Sequence, residues 1–155
     1  MYTKEEVSRQ KQAFWTTFGR YMQPVLSTEG TAVGWLNYKT GIPGIQFKME
    51  ADHKHVSIAI VLSHKDDVFR AAHYEKLTEL KDMLENELGG EVWLWQQRSI
   101  DEWGKTVSAV KKELTGVNIH RKDYWPAMIS FLKARLIGLD AFWSMAKYGF
   151  EELML

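Results

Sequence analysis

The sequence predicts an α+β fold, in which a mixed, largely antiparallel sheet of about five strands packs with three main helices. Two observations support this prediction. Apolar residues recur at helical spacing in three long segments, and short extended runs separated by glycine and proline lie between them. The predicted order of elements is α-β-β-β-α-β-β-α. Of the 155 residues, 45% are hydrophobic and 26% charged, so we expect a single globular domain over 1–155.

The first helix is predicted over 4–22. Thr3 and Glu6 form a capping box at its start, because the Thr3 hydroxyl can accept a hydrogen bond from the Glu6 amide while the Glu6 carboxylate returns one. Pro24 predicts the end of this helix, since the residue before a proline disfavours helical backbone.

The other two helices have similar start signals. Asp66 or Asp67 can cap the second helix, whose leucine stripe ends at Gly89 and Gly90. Asp123 is predicted to cap the third and longest helix. The apolar stripe of that helix consists of Trp125, Met128, Ile129, Leu132, Leu136, Leu139, Trp143 and Ala146.

The predicted strands differ in how their apolar residues are arranged. The run 31–39 comes first, and 45–52 then alternates apolar and polar residues as a half-buried strand does. The run 56–62 is apolar on both faces, which predicts a central strand covered on both sides. Two further strands are predicted at 91–97 and 106–114. Short turns require antiparallel pairing, whereas the helix before 91–97 is long enough for a parallel crossover.

Charge and cysteine content exclude several kinds of site. The chain has 20 Lys+Arg and 20 Asp+Glu, so its formal net charge is zero and no basic region of the kind that binds phosphates stands out. It has no cysteine, which excludes thiol catalysis and zinc-finger or iron–sulfur ligation. The N-terminal residues are charged, and the longest apolar run, 58–62, is too short to cross a bilayer. We therefore expect a cytoplasmic protein without membrane contact, and no pattern indicates a cofactor.

Four segments carry a resemblance to a known family. They are Arg9-Gln10-Lys11-Gln12-Ala13-Phe14-Trp15, His55-Val56-Ser57-Ile58-Ala59-Ile60, Val92-Trp93-Leu94-Trp95 and Asp123-Tyr124-Trp125-Pro126. Together they resemble the bacterial domain of unknown function family numbered 4268, over nearly the whole chain. The resemblance implies a domain that stands alone in some proteins and is attached to a nuclease-like domain in others. It carries over no catalytic residue, since its landmarks are aromatic and apolar.

The predicted order α-β-β-β-α-β also matches the core of restriction-endonuclease-like nucleases. Such sites hold Mg²⁺ with carboxylates from the second and third strands, and a lysine on the third helps to activate water. Lys48, Glu50 and Asp52 on the second predicted strand are the candidate catalytic residues. The third predicted strand, 56–62, supplies neither an acid nor a lysine. We therefore expect no active nuclease and interpret these side chains as a solvated strand face.

Histidines suggest a metal site at one position. His53 and His55 are candidate metal ligands, because an H-x-H pair on a strand directs both imidazoles to one face. His64, however, follows the opposite end of the next strand, roughly 25 Å away by strand rise. Ordinary turn and surface histidines are the favoured interpretation, and His73 and His120 have no partner at useful spacing.

Three tryptophans are candidate ligand-binding residues. Trp93 and Trp95 share one face of a predicted strand, and with Trp35 they could stack on a base, a sugar or a peptide. The opposite face of that strand carries Val92 and Leu94, and a strand that is apolar on both faces is buried on both. Core packing is therefore favoured, with a small-molecule cleft lined by these tryptophans as an alternative.

These patterns favour a non-catalytic interaction module over an enzyme. The chain lacks the common phosphate-binding, nucleophile-elbow and zinc-protease motifs, and it is rich in the aromatic and methionine residues typical of interfaces. We expect a homo-oligomer or a protein partner. The alternative is a degenerate nuclease-like domain that binds or processes nucleic acid. Its basic residues would be Lys48, Lys54, Lys65, Arg70, Lys111, Lys112, Arg121 and Lys122.

Overall fold

The computed structural model describes residues 2–154, and these residues form four α-helices and four β-strands. In chain order the elements are α1 (Lys4–Met22), β1 (Ile45–Ala51), β2 (His55–Leu62), α2 (Asp67–Glu79), α3 (Lys81–Glu87), β3 (Leu94–Ile100), β4 (Thr106–Thr115) and α4 (Trp125–Glu152). Short 3-10 turns lie at Trp35–Asn37 and Lys122–Tyr124. Among these described helices, none is long and apolar enough to cross a membrane.

The four strands form one antiparallel sheet in the order β1-β2-β4-β3. Ile60 of β2 lies at the centre, where it pairs with Phe47 of β1 and with Val110 of β4. The strands β2 and β3 run in the same direction, but β4 lies between them. The helical connection from β2 to β3 therefore crosses over β4, which comes after β3 in the sequence.

One face of this sheet packs against the helices. Alternate residues of β1 and β2, such as Phe47, Ile58 and Ile60, belong to the main buried cluster or pack against it, and so does Val110 of β4. All four helices contribute side chains that are at most 1% exposed, among them Phe14, Phe18, Leu77, Leu84, Leu132, Leu136 and Phe142. Burial of each such side chain contributes roughly 1.5–3 kcal/mol. The helix starts are also as predicted at two places, since Thr3 and Glu6 form the capping box and Asp66 caps α2.

The predicted strand over 31–39 is wrong, and so the sheet has four strands within the described residues rather than five. This segment is a loop with one 3-10 turn, and side chains hold it in place. The buried Trp35 donates a hydrogen bond from Nε1 to the carbonyl of Val25, at 2.9 Å. The Tyr38 hydroxyl donates to the carboxylate of Asp140 on α4, at 2.5 Å. These long-range contacts override the extended pattern of the sequence.

The helix count and the element order are also corrected. The predicted second helix is interrupted at Leu80, whose backbone angles of φ −97° and ψ 12° leave the helical region, so α2 and α3 are separate. The observed order is α-β-β-α-α-β-β-α, which does not match the restriction-endonuclease-like core. The sheet is not mixed, because the insertion of β4 makes every pairing antiparallel.

The observed starts of one strand and one helix also differ from the predicted ones. The strand expected at 91–97 begins at Leu94, because Glu91 is bound instead to Arg135 of α4 through two hydrogen bonds of 2.9 Å. Asp123 lies in the 3-10 turn and does not cap α4, which begins at Trp125.

Candidate binding groove

The sheet face that points away from the helices is a trough with a floor of small side chains. Because side chains alternate along a strand, every second residue of β2 and β4 lies on this open face. They include the small residues Ser57, Ala59, Val61, Val107 and Ala109 and, further along β4, Lys111. Ala59, Val61 and Val107 pack as a small buried cluster of their own. The prediction that β2 is covered on both sides agrees with the structure, since seven of its eight residues are buried. Helices cover one face of β2, and the β3–β4 hairpin covers the other.

The hairpin between β3 and β4 bends over this trough. Its tip, 101–105, is fixed from within, because the Asp101 carboxylate accepts hydrogen bonds from the amides of Trp103 at 2.9 Å and Lys105 at 2.8 Å. Glu102 at the tip reaches Lys48 on β1, with Nζ to carboxylate oxygen distances of 2.5 and 2.6 Å. The trough and the tip together enclose a space of about 460 Å³, here called the hairpin groove.

Lys48 is the charged residue that ties the tip to the sheet. Its Nζ atom also lies 3.3 Å from Glu50 and 5.3 Å from the centre of the Trp103 ring. Partial burial alone would lower the pKa of Lys48, but the hydrogen bond to Glu102 and the charge of Glu50 raise it above its ordinary value. The same hydrogen bond lowers the pKa of Glu102. Both groups therefore stay charged at neutral pH.

Other charges around the groove are not balanced in this way. Lys65, Lys105 and Lys111 line it, and none of them forms an ion pair with any residue in 2–154. The acids that line it are all engaged, Glu50 and Glu102 with Lys48 and Asp101 with backbone amides. Four lysines and three acids thus line the groove, and the three lysines outside ion pairs give it a small excess of positive charge that is open to a ligand.

The three candidate catalytic residues are only partly brought together. Lys48 and Glu50 both line the groove, but Asp52 closes the turn after β1, where its carboxylate accepts from the amides of Lys54 at 2.8 Å and His55 at 2.9 Å. Lys48 is held between two carboxylates and is not free to activate water. In the part of the chain that the structure describes, no group of three His, Asp or Glu side chains could hold a metal ion.

The candidate metal ligands His53 and His55 lie at the turn between β1 and β2. His53 is exposed in the turn, and the Nδ1 atom of His55 lies 2.9 Å from the carboxylate of Asp52. The structure instead brings His64 and His73 together, with ring centroids 4.1 Å apart and both rings buried. Burial and the charge of His73 lower the pKa of His64.

No spacing in the sequence links His64 with His73. The sequence does indicate that His73 is buried, because it lies four residues before Leu77 and hence on the same face of α2. In the described structure neither ring nitrogen of His64, nor Nε2 of His73, has a hydrogen-bond partner.

The three candidate tryptophans do not form a common platform. Trp35 and Trp93 are buried, and Trp95 is half-buried with its ring centroid 6.0 Å from that of Tyr74. Among the described residues, no ring contact joins Trp35 to the other two. The exposed tryptophan is Trp103, at 74%, which sequence reasoning missed. Its position in a polar turn, outside any apolar period, was the signal that could have indicated exposure.

The basic residues proposed for phosphate binding lie in three kinds of position. Lys48, Lys65 and Lys111 line the hairpin groove. Arg70 is buried, and it donates to Asp67 at 2.5 Å and to the carbonyl of His64 at 2.8 Å. The remaining residues, Lys54, Lys112, Arg121 and Lys122, do not line the groove.

A second exposed feature is the outer edge of β3. Only β4 pairs with β3 in the described sheet, so the backbone groups along its other side are free of strand partners. Val92, Leu94 and Ile100 at the two ends of this strand are 79%, 58% and 65% exposed. Its one charged residue, Arg98, lies at a bulge in the middle.

The fold and these surfaces define an α+β domain with helices on one face of an antiparallel sheet and a hairpin-covered groove on the other. The chain belongs to the family described as domain of unknown function DUF4268, whose model matches residues 10–147. This match confirms the resemblance carried by the aromatic landmarks. No curated protein and no solved structure matches the chain.

Proposed function

We propose that this chain is a non-catalytic interaction module that self-associates, and that two copies meet at the free edge of β3. The observation that supports this proposal is the edge itself. Its seven residues carry a single charge. The exposed apolar side chains of Leu94 and Ile100 lie at its two ends, and that of Val92 lies just before it. An unpaired strand of this composition is a template for pairing with another chain.

The geometry of β3 limits how such pairing occurs. The bulge at Gln97 and Arg98 turns the middle of the strand out of regular pairing, which is how many proteins protect an edge. The half from Leu94 to Gln96 has no such protection. Antiparallel contact between these halves in two copies would cover Val92 and Leu94 and extend the sheet across the dimer axis.

Size-exclusion chromatography with light scattering tests this proposal. We expect the protein to elute as a dimer, and Leu94→Lys to shift it toward the monomer because a charged side chain would replace an exposed apolar one that pairing of the edges would cover. Tyr21→Lys is the matched control, since Tyr21 is also exposed, at 56%, but lies on α1. A monomeric wild type at high concentration, or an equal effect of both substitutions, would contradict the proposal.

Nucleic-acid binding in the hairpin groove is the second candidate, without the restriction-endonuclease-like core that the element order does not match, and one observation favours it. Lys48, Lys65 and Lys111 line the hairpin groove beside the exposed ring of Trp103, and single-stranded nucleic acids bind where cations flank an aromatic stacking surface. Fluorescence anisotropy with labelled oligothymidine over a range of salt concentrations tests it. Binding that weakens steeply with salt supports this candidate, and no binding at low ionic strength removes it.

A further inference from the structure

We propose that the hairpin groove binds an extended peptide in which acidic side chains flank an aliphatic one. This site is on the open face of the sheet and does not depend on self-association, although Gln96, Ser99 and Ile100 of β3 line it. The first observation is the charge of the groove wall. Lys65, Lys105 and Lys111 have no ion-pair partner among residues 2–154, while all lining acids are engaged by Lys48 or by backbone amides. The complementary ligand is therefore anionic.

The floor of the groove specifies the apolar part of the ligand. Ala59, Val61 and Val107 form a buried apolar cluster below the hairpin tip, and the small size of these side chains is what leaves space above them. A space of about 460 Å³ over this floor fits an aliphatic side chain together with the backbone on either side of it. Burial of that side chain would supply the hydrophobic share of the binding energy.

Neutral polar groups along the walls suit a peptide backbone. Gln46 and Gln96 lie in one row across the sheet, and Ser57 and Ser99 line the same groove. Amide and hydroxyl side chains can both donate and accept hydrogen bonds, so they match the alternating N–H and C=O groups of an extended chain. The exposed Trp103 ring at the rim offers a large, rigid contact surface of the kind enriched at binding hot spots.

The distribution of charge along the groove favours a peptide over a nucleic acid. Lys65 and Lys105 lie at the end where β2 finishes and β4 starts, and Lys111 lies near the middle. At the opposite end, Glu113 lies beside Ser57 on the neighbouring strand and has no ion-pair partner among residues 2–154. A phosphate backbone carries uniform negative charge and would meet repulsion there, whereas a peptide can place its acidic residues at the basic end alone.

Fluorescence anisotropy with a fluorescein-labelled peptide that has two glutamates flanking a valine at one end, and neutral residues elsewhere, tests the proposal. The same peptide with lysine in place of glutamate and a labelled oligothymidine serve as comparison probes. We expect the glutamate peptide to bind, and Lys105→Glu and Lys111→Glu each to weaken binding about tenfold. Lys105 is exposed, so its substitution leaves the fold intact. Lys54→Glu is the matched control, because Lys54 is exposed and does not line the groove.

Three outcomes would overturn the proposal. The glutamate peptide could fail to bind at low ionic strength, or Lys54→Glu could weaken binding as much as Lys105→Glu, which would indicate unspecific attraction. Oligothymidine could bind more tightly than the peptide through the same lysines, which would assign the groove to nucleic acid. Self-association is measured separately, by light scattering without peptide. Failure of one proposal therefore stays distinguishable from failure of the other.

Discussion

Replacement of Asp140 should release the loop 27–40 from α4. Asp140 is 4% exposed, and its carboxylate accepts hydrogen bonds from the amide and hydroxyl of Thr28, at 2.7 and 2.9 Å, and from the hydroxyl of Tyr38, at 2.5 Å. A hydrogen bond to a charged group contributes about 1.5–3 kcal/mol. Thr28 is exposed, so water can replace its two bonds, and most of the energy belongs to the half-buried Tyr38. We therefore expect Asp140→Ala to lower the free energy of unfolding by about 3 kcal/mol.

Asp140→Asn separates charge from geometry. The amide oxygen of asparagine can still accept from Thr28, and its NH₂ group can donate to the Tyr38 oxygen, so all contacts persist in neutral form. Neutral hydrogen bonds contribute about half as much as charged ones, and we expect this variant to lose about half of what Asp140→Ala loses.

Urea unfolding followed by circular dichroism measures these values. A double-mutant cycle of Tyr38→Phe with Asp140→Ala should give a coupling free energy of about 1.5–3 kcal/mol. Additive effects of the two substitutions, with no coupling, would refute the reasoning, because the two groups would then act independently.

Alkaline pH gives a second test of the same contact. Burial, followed by the hydrogen bond and charge of Asp140, raises the pKa of Tyr38 above its ordinary value of 10.0. The folded protein thus keeps a proton that the unfolded chain loses. The stabilisation is fully present below pH 10 and declines as pH rises above it. Tyr38→Phe should make the alkaline decline in melting temperature shallower, and an unchanged decline would contradict this assignment.

Two further predictions concern the histidine pair and the α3–α4 contact. Burial and the charge of His73 lower the pKa of His64, so the stability of the folded protein should fall as pH drops below about 6.5. His64→Phe should reduce the fall in melting temperature between about pH 7 and pH 5. An unchanged dependence of the melting temperature on pH would contradict this prediction. Gly138→Ala should destabilise by about 1–3 kcal/mol in urea unfolding, since the new Cβ would lie 2.9 Å from the backbone oxygen of Glu87. Gly149→Ala is the control, because only a flexible lysine side chain lies close to Gly149. This substitution should be neutral or should stabilise the protein by up to about 1 kcal/mol. Similar losses of unfolding free energy in both variants would argue against steric contact at Gly138.

The candidate site was predictable only in the part that lies on one strand. The alternation of β1 put Lys48 and Glu50 on the same face, and both line the groove. Glu102, which binds Lys48, lies 54 residues away in the sequence, and Trp103 lies beside it in the same turn. No spacing rule connects a strand with the tip of a distant hairpin.

The sequence by itself determined the helix α1 with its capping box, the alternation of apolar and polar residues in β1, the residue range of β4 and the long apolar stripe of α4. These features depend on neighbours within a few residues, whose spacing the covalent chain sets. Only the tertiary structure decided that β4 lies between β2 and β3, that 31–39 is a loop, and that the hairpin bends over the open face. Each of these depends on contacts between distant segments, whose packing outweighs local preference.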